Sequence, residues 1–241
     1  MNDTILAQLA PTGVLRAGIN MSNFLLVNGR TVDGGPAGVS PSLAAAIAER
    51  LGVPVRYVPY PRPGELADDA GTGAWDIGLI GAEPQRAEKI AFTAAYAEIE
   101  ATYLVPPGSP LATLADVDAP GIRIASAARA AYDLWLERNI RQAELRRAGG
   151  LDASFALFRD EGLEALAGLR PKLLTDQALM PGSRILDGAF MTVQQAVGTA
   201  RANTEGAAFL RGFVEEAKAS GLIASLIARH GVQGLSVAPP G

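Results

Sequence analysis

The chain has 241 residues, 49% of them hydrophobic, with 21 Lys and Arg against 25 Asp and Glu. That is enough apolar material for a large core, and a net charge of −4 with no basic block argues against a nucleic-acid partner. With no cysteine, disulfides, thiolate metal sites and cysteine nucleophiles are excluded, and no run of about 18 apolar residues offers a membrane span.

Along the chain, Val14–Ile19 reads as a first strand, followed by a turn containing Asn20 and Asn23. Residues 28–38 form a loop by their glycine-rich composition. A helix then begins, with Ser40 suited to the N-cap and Pro41 to the first helical position. Leu43, Ile47 and Leu51 fall on one face, and Gly52 stands where a C-terminal cap glycine belongs. Val53–Val58 and Trp75–Ile80 are the next strands. Short strands alternating with helices predict βαβ units around a largely parallel sheet.

After a strand ending at Val105, Pro106–Pro110 has the composition of a boundary. A second α/β series opens at Gly121–Ala125 and continues through a helix over Tyr132–Arg138 and a strand over 141–147. A helix, a short strand and a further helix share 160–180. Ala189–Val197 is strand-like, and the tail is helical, with one apolar stripe at Leu210, Phe213, Val214 and Ala217 and another at Ile223, Leu226 and Ile227. The opening residues, Met1–Leu6, show neither a basic stretch nor an apolar run suited to a secretory signal.

Several blocks recur in a specific order. Leu15-Arg16-x-Gly18 is followed by Gly38-Val-Ser-Pro-Ser-Leu-Ala and on to Gly52, then Trp75-Asp76-Ile77-Gly78. Pro84-x-Arg86, with Ile90, Phe92, Thr93 and Tyr96 behind it, closes the series. Through the first 105 or so residues this resembles the family 3, amino-acid-type solute-binding proteins of bacterial ABC transporters, and the likeness continues more weakly to the end. The resemblance implies the two-lobe α/β fold of periplasmic-binding-protein type II, with a ligand cleft between lobes. It implies a first lobe of residues 1–103 and 197–241, a second of 104–196, and two crossing segments near 97–105 and 191–199.

The resemblance also assigns roles. Arg86, in the loop Gly81-Ala82-Glu83-Pro84-Gln85-Arg86, matches the arginine that grips a ligand carboxylate; a guanidinium is a rigid, permanently charged fork. Phe24 falls near the aromatic wall of the pocket, and Gly81 stands where many relatives carry a hydroxyl. Ser126 to Ala131, with Arg129, matches a strand-to-helix turn whose backbone N–H groups help hold the carboxylate. Relatives that bind α-amino acids carry an aspartate where this chain has Leu169, with Arg170 beside it. Leucine cannot pair an ammonium, so a ligand other than an ordinary α-amino acid is expected, with Arg170 available to a further anionic group. Asn20, Asn23 and Tyr132 complete the candidate set, and Glu83 is the only obvious acid in it.

Plainer readings stand beside these. Arg86 would then cap a loop and pair with Glu83 or Glu88 on the surface. Arg129 and Arg170 would be solvated first-turn residues, Asn20 and Asn23 turn formers, and Phe24 and Tyr132 core. Trp75 and Asp76 are assigned to structure, and His230, the only histidine, to a helix end where the dipole favours a cation. No catalytic residue, cofactor or metal site is expected. The expected function is capture of a small carboxylate-bearing solute by hinge closure, as the monomeric substrate-binding component of an ABC uptake system, with a permease as partner. The alternatives are a dehydratase- or hydrolase-like enzyme on the same scaffold, or a cytoplasmic ligand sensor. The resemblance points to the periplasm, while the lack of a signal in this sequence leaves the cytoplasm open.

Overall fold

The computed structural model describes residues 3–241. In chain order come α1 (Asp3–Leu9), β1 (Leu15–Asn20), a short hairpin of β2 (Gly29–Arg30) and β3 (Pro36–Ala37), α2 (Val39–Leu51) and β4 (Val55–Tyr60). Next are α3 (Pro63–Asp68), β5 (Ile77–Gly81), the one-turn α4 (Pro84–Ala87), β6 (Ile90–Phe92) and the long β7 (Ala97–Val105). The following series is β8 (Arg123–Ala127), α5 (Ala131–Asn139), β9 (Glu144–Ala148), α6 (Leu151–Asp160), β10 (Ala165–Leu169), α7 (Arg170–Leu179) and β11 (Arg184–Ile185). The chain closes with β12 (Met191–Ala200), α8 (Thr204–Ala219), α9 (Leu222–Arg229) and β13 (Ser236–Val237).

These elements form two compact units. The first takes the chain up to Glu98 and again from Gln194 to Gly241; the second is Ile99–Val193. Both divisions fall inside strands, β7 and β12, not in a linker. The Pro106–Pro110 stretch, expected to mark a boundary, lies within the second unit.

In the first unit β4, β1 and β5 run parallel, β12 is antiparallel to β5, and β6 is antiparallel to β12. In the second, β9, β8 and β10 run parallel, while β7 lies antiparallel to β10 and β11 antiparallel to β7. Each has its own apolar cluster: Tyr60, Leu66, Trp75, Ile80 and Ile90 in the first, and Leu104, Phe155, Phe158, Leu163, Leu166 and Leu173 in the second. Burying such side chains contributes roughly 1.5–3 kcal/mol each.

Local chemistry explains the element ends. α2 starts two residues earlier than the sequence suggests, with Gly38 as its N-cap and Ser40 already in its first turn. The backbone of Leu26 and Val27 crosses so close that a Cβ on Gly38 would stand 2.3 Å from the Leu26 carbonyl oxygen, and φ there is 149°. Only glycine fits, so a serine cap has no room. Ser40 is buried instead, its Oγ 2.9 Å from the Tyr96 hydroxyl. The other end is as expected: Leu43, Ile47 and Leu51 are buried and Gly52 caps in the left-handed region at φ 73°.

The two units share one structural device. In the first, the Arg16 N–H donates to Asp76 Oδ2 at 2.8 Å, and its guanidinium grips the same carboxylate and reaches the Gly73 carbonyl. In the second, the Arg123 N–H donates to Glu164 Oε2 at 2.8 Å, and its guanidinium grips that carboxylate and the Gly162 carbonyl. Each carboxylate immediately precedes a strand parallel to the arginine's own, so each pair ties the amino ends of two neighbouring parallel strands. Asp76 therefore has the structural role expected of it. Trp75 does too: its Nε1 donates to the Leu66 carbonyl at 3.0 Å, and its ring covers Gly18, where a Cβ would meet Trp75 Cγ at 3.2 Å.

Candidate functional site

The opposite, carboxyl ends of the same strand pairs carry the candidate residues. In the first unit β1 and β5 are in parallel register through Ile19 and Leu79. The turn with Asn20, Asn23 and Phe24 therefore leaves beside the segment Gly81–Arg86. In the second unit β8 and β10 are parallel neighbours. Ser126, Arg129 and Tyr132 follow the first of these, and Leu169 and Arg170 end the second. Ligands of open α/β sheets collect at such carboxyl ends.

In the first unit, Asn20 and Asn23 act as turn formers. Asn20 Oδ1 accepts from the Ser22 N–H at 3.2 Å and Ser22 Oγ at 2.7 Å, and Asn23 Oδ1 accepts from the Leu25 N–H at 3.2 Å. Phe24, weighed as a core residue, is instead 36% exposed. Arg86 and Glu83 are both 5% exposed, so neither lies on the surface where the plainer reading put them. The Arg86 Nη1 donates to the Gly81 carbonyl at 2.6 Å, which aims the guanidinium back toward the end of β5. Pro84 begins the single turn of α4, and that turn places Arg86 three residues beyond Glu83.

The second unit differs more from expectation. Ser126 and Tyr132 are buried, and among the described residues neither hydroxyl has a hydrogen-bond partner. Burial, reinforced by Asp133, drives the Tyr132 phenol well above its ordinary value. Arg129 is exposed and occupies the left-handed region at φ 61°, the only non-glycine among the described residues to do so. Its N–H donates to Asp133 Oδ2 at 2.9 Å, and Asp133 in turn accepts from Arg147 Nε at 2.9 Å. Asp133, 1% exposed, thus holds the turn in a conformation that arginine rarely adopts. Asp133 is absent from the candidate set read from sequence; its place as an acidic residue in the first turn of a helix is the signal that could have found it.

Arg170 is half-exposed, as the plainer reading expected in part, but it is already paired. Its Nε lies 2.6 Å from Glu100 Oε2, and its guanidinium also donates to the Gly188 carbonyl. Leu169 is 6% exposed and is the residue from which α7 springs. His230 caps the C-terminal end of α9, the helix end expected for it. Burial, with Arg229 adding to it, holds the imidazole below its ordinary value, and Nε2 lies 2.9 Å from Ser42 Oγ. Among the described residues no group of His, Asp and Glu could hold a metal ion, and no helix is long and apolar enough to cross a membrane.

The model of the bacterial extracellular solute-binding proteins, family 3, matches residues 19–233. No curated protein matches the chain. Among solved structures, an ancestral amino acid-binding protein described as a precursor of cyclohexadienyl dehydratase is 20% identical, with a TM-score of 0.74 over 93% of this chain and 98% of its own. A histidine kinase sensor domain similar to periplasmic binding proteins is 17% identical, with a TM-score of 0.77 over 93% and 98%. A binding component of an ABC transporter from Wolinella succinogenes, complexed with lysine, is 18% identical, with a TM-score of 0.75 over 92% and 97%. At these identities the likeness shows the fold, a periplasmic-binding-protein type II architecture.

Proposed function

This chain belongs to the bacterial extracellular solute-binding proteins, family 3, and we propose that it captures a small solute through a carboxylate, with Arg86 as the principal anchor. The single observation that carries the reading is the buried Arg86 guanidinium, aimed by the Gly81 carbonyl to the end of β5 beside the Asn20–Phe24 turn. A desolvated fork of this kind favours a planar anion. The peptide N–H groups at the start of α5 supply a second set of donors. Capture proceeds by bending at β7 and β12, where the chain passes between the units, and the closed population grows because the solute is held from both. The protein then serves as the solute-binding component of an ABC uptake system.

The class of solute follows from Leu169. A free ammonium taken from water needs a carboxylate or several acceptors, and a buried leucine provides neither. Simple carboxylates are therefore favoured over ordinary α-amino acids. Arg170, bound to Glu100 and Gly188, adds no second anion site. The test is calorimetry of the wild type and Arg86→Ala against monocarboxylates, dicarboxylates and amino acids. The substitution is expected to weaken binding at least about tenfold, since a charge-assisted hydrogen bond contributes roughly 1.5–3 kcal/mol. Micromolar binding of an unmodified α-amino acid would overturn the solute class, and an unaffected Arg86→Ala would overturn the anchor. Consumption of the bound solute in the same mixtures would transfer the reading to an enzyme, with Glu83 as the acid at hand.

A further inference from the structure

Residues 235–241 run back across the first unit to the place where β7 is about to leave it. β13 pairs antiparallel with β7, Val237 opposite Ala97 and Ser236 opposite Glu98, and Glu98 is the last residue before the division. The Ala238 N–H extends the ladder to the Tyr96 carbonyl at 3.2 Å. Leu235 and Ala238 are buried, which seats the middle of the segment. Its far end is tied by polar contacts to α8: Lys218 Nζ donates to the Pro239 carbonyl at 2.8 Å, and the Gly241 N–H donates to Glu215 Oε2 at 3.3 Å. Lys218 and Glu215 are themselves paired at 2.7 Å. Between Pro239–Gly241 and the facing Ala82, Thr93 and Gln194 lies an open recess of about 360 Å³, and Gly241 rests against Ala94, where a Cβ would stand 2.4 Å from the Ala94 Cβ. On β12, Gln194 is the first residue back in the first unit, and its Nε2 donates to Glu98 Oε1 at 3.0 Å. Glu98 thus meets the other crossing strand through its side chain and the 235–241 segment through its backbone.

We propose that residues 235–241 form a detachable strap that stiffens β7 immediately before it crosses, and so sets how readily the chain bends between its units. The inference rests on the hinge reading given above. A strap that is released at its tethered end lets Ala97 and Glu98 fluctuate; a strap in place confines bending to the residues beyond Glu98. Its contacts are a two-residue ladder and a few tethers, each of the size of an ordinary hydrogen bond, which suits a brace that opens and recloses rather than a permanent core element.

The absence of native cysteine allows two spin labels to be placed at will, one at Ser225→Cys in the first unit and one at Ala178→Cys in the second. Distances between them are compared for the full chain, for Lys218→Met, which keeps the apolar stem and removes the tether, and for a chain lacking 236–241. Hydrogen exchange is followed in the same proteins. Loss of the tether is expected to broaden the distance distribution and to speed exchange of the Ala97–Glu100 amides at least about fivefold, with Ile124 and Ala125 in β8 unchanged. A broad wild-type distribution that Lys218→Met and the deletion both leave unchanged would overturn the strap and spare the hinge. A narrow distribution, unchanged in every variant, would overturn both. Uniformly faster exchange through the first unit would make the segment an ordinary part of the core, and the proposal would fail on that ground too.

Discussion

Removing the carboxylate of Asp76 should cost the protein far more than removing that of Glu164, although the two residues do the same job. The side chains of Arg16 and Asp76 are 16% and 3% exposed, whereas those of Arg123 and Glu164 are 35% and 32%. Asp76→Ala takes three hydrogen bonds from the half-buried Arg16 backbone N–H and guanidinium and leaves the Gly73 carbonyl as the guanidinium's remaining partner among those contacts. Breaking a buried pair from one side costs about 3–5 kcal/mol, and the exposure of Arg16 puts this case at the lower end, about 3 kcal/mol. Glu164→Ala leaves its arginine in reach of water, so about 1 kcal/mol is expected. Urea unfolding resolves the difference, because at a slope of about 2 kcal/mol per molar the first change moves the midpoint by roughly 1.5 M and the second by roughly 0.5 M. Circular dichroism follows the whole chain, while Trp75 reports on the first unit and Trp135 on the second. Replacing both partners, Arg16→Met with Asp76→Leu, should recover much of the loss, because no charge is then left unpaired. Equal costs for Glu164→Ala and Asp76→Ala, or a double replacement less stable than Asp76→Ala alone, would refute this expectation.

Other expectations follow from individual residues. Gly198→Ala would bring a Cβ to 2.3 Å from Ile90 Cγ2, so about 1–3 kcal/mol should be lost, while Gly212→Ala on α8 meets nothing within 4 Å and should gain about 0.5–1 kcal/mol; thermal melting compares them. The Arg123 guanidinium holds the Glu164 carboxyl below its ordinary value of 4.5. That stabilisation is complete above the ordinary value and is lost as pH falls through the lower folded value; a pH series of urea midpoints should show it, and Glu164→Gln should flatten it. Arg129→Gly removes an arginine from the left-handed region, so it should hold or raise stability by up to about 1 kcal/mol; a clear loss would mean that the Arg129 side chain is itself structural.

The alternation of strands and helices was legible because each unit is built from local βα steps, and Leu43, Ile47 and Leu51 announce their own burial by spacing alone. Gly38 was not legible as a cap, since what excludes Ser40 from that place is the backbone at Leu26, brought there by the fold. The Pro106–Pro110 stretch looked like a boundary because boundaries are usually linkers. Here the chain crosses within β7 and β12, whose residues read as ordinary strand. Arg170 could not be matched to Glu100 from sequence, the two standing 70 positions apart. The buried state of Arg86 was equally hidden: its charge and spacing were plain, but exposure is a property of the packed chain. β13 is two residues long, below what any periodicity can reveal.

The second unit is one uninterrupted stretch of chain, Ile99–Val193, inserted into a first unit that is split. This sets an order of events during synthesis. β8, β9 and β10 have all their parallel partners within about fifty residues of one another and can pair as soon as they emerge. β5 must wait for β12, which arrives more than a hundred residues later, and α8 reaches α1 only near the end. Until then the first unit exposes the far edge of β5, with Ile77, Leu79 and Ile80 beside it, to any strand that comes near. The inserted unit therefore finishes first and its host last. Interrupted synthesis would yield a folded insert carried by an unfinished sheet.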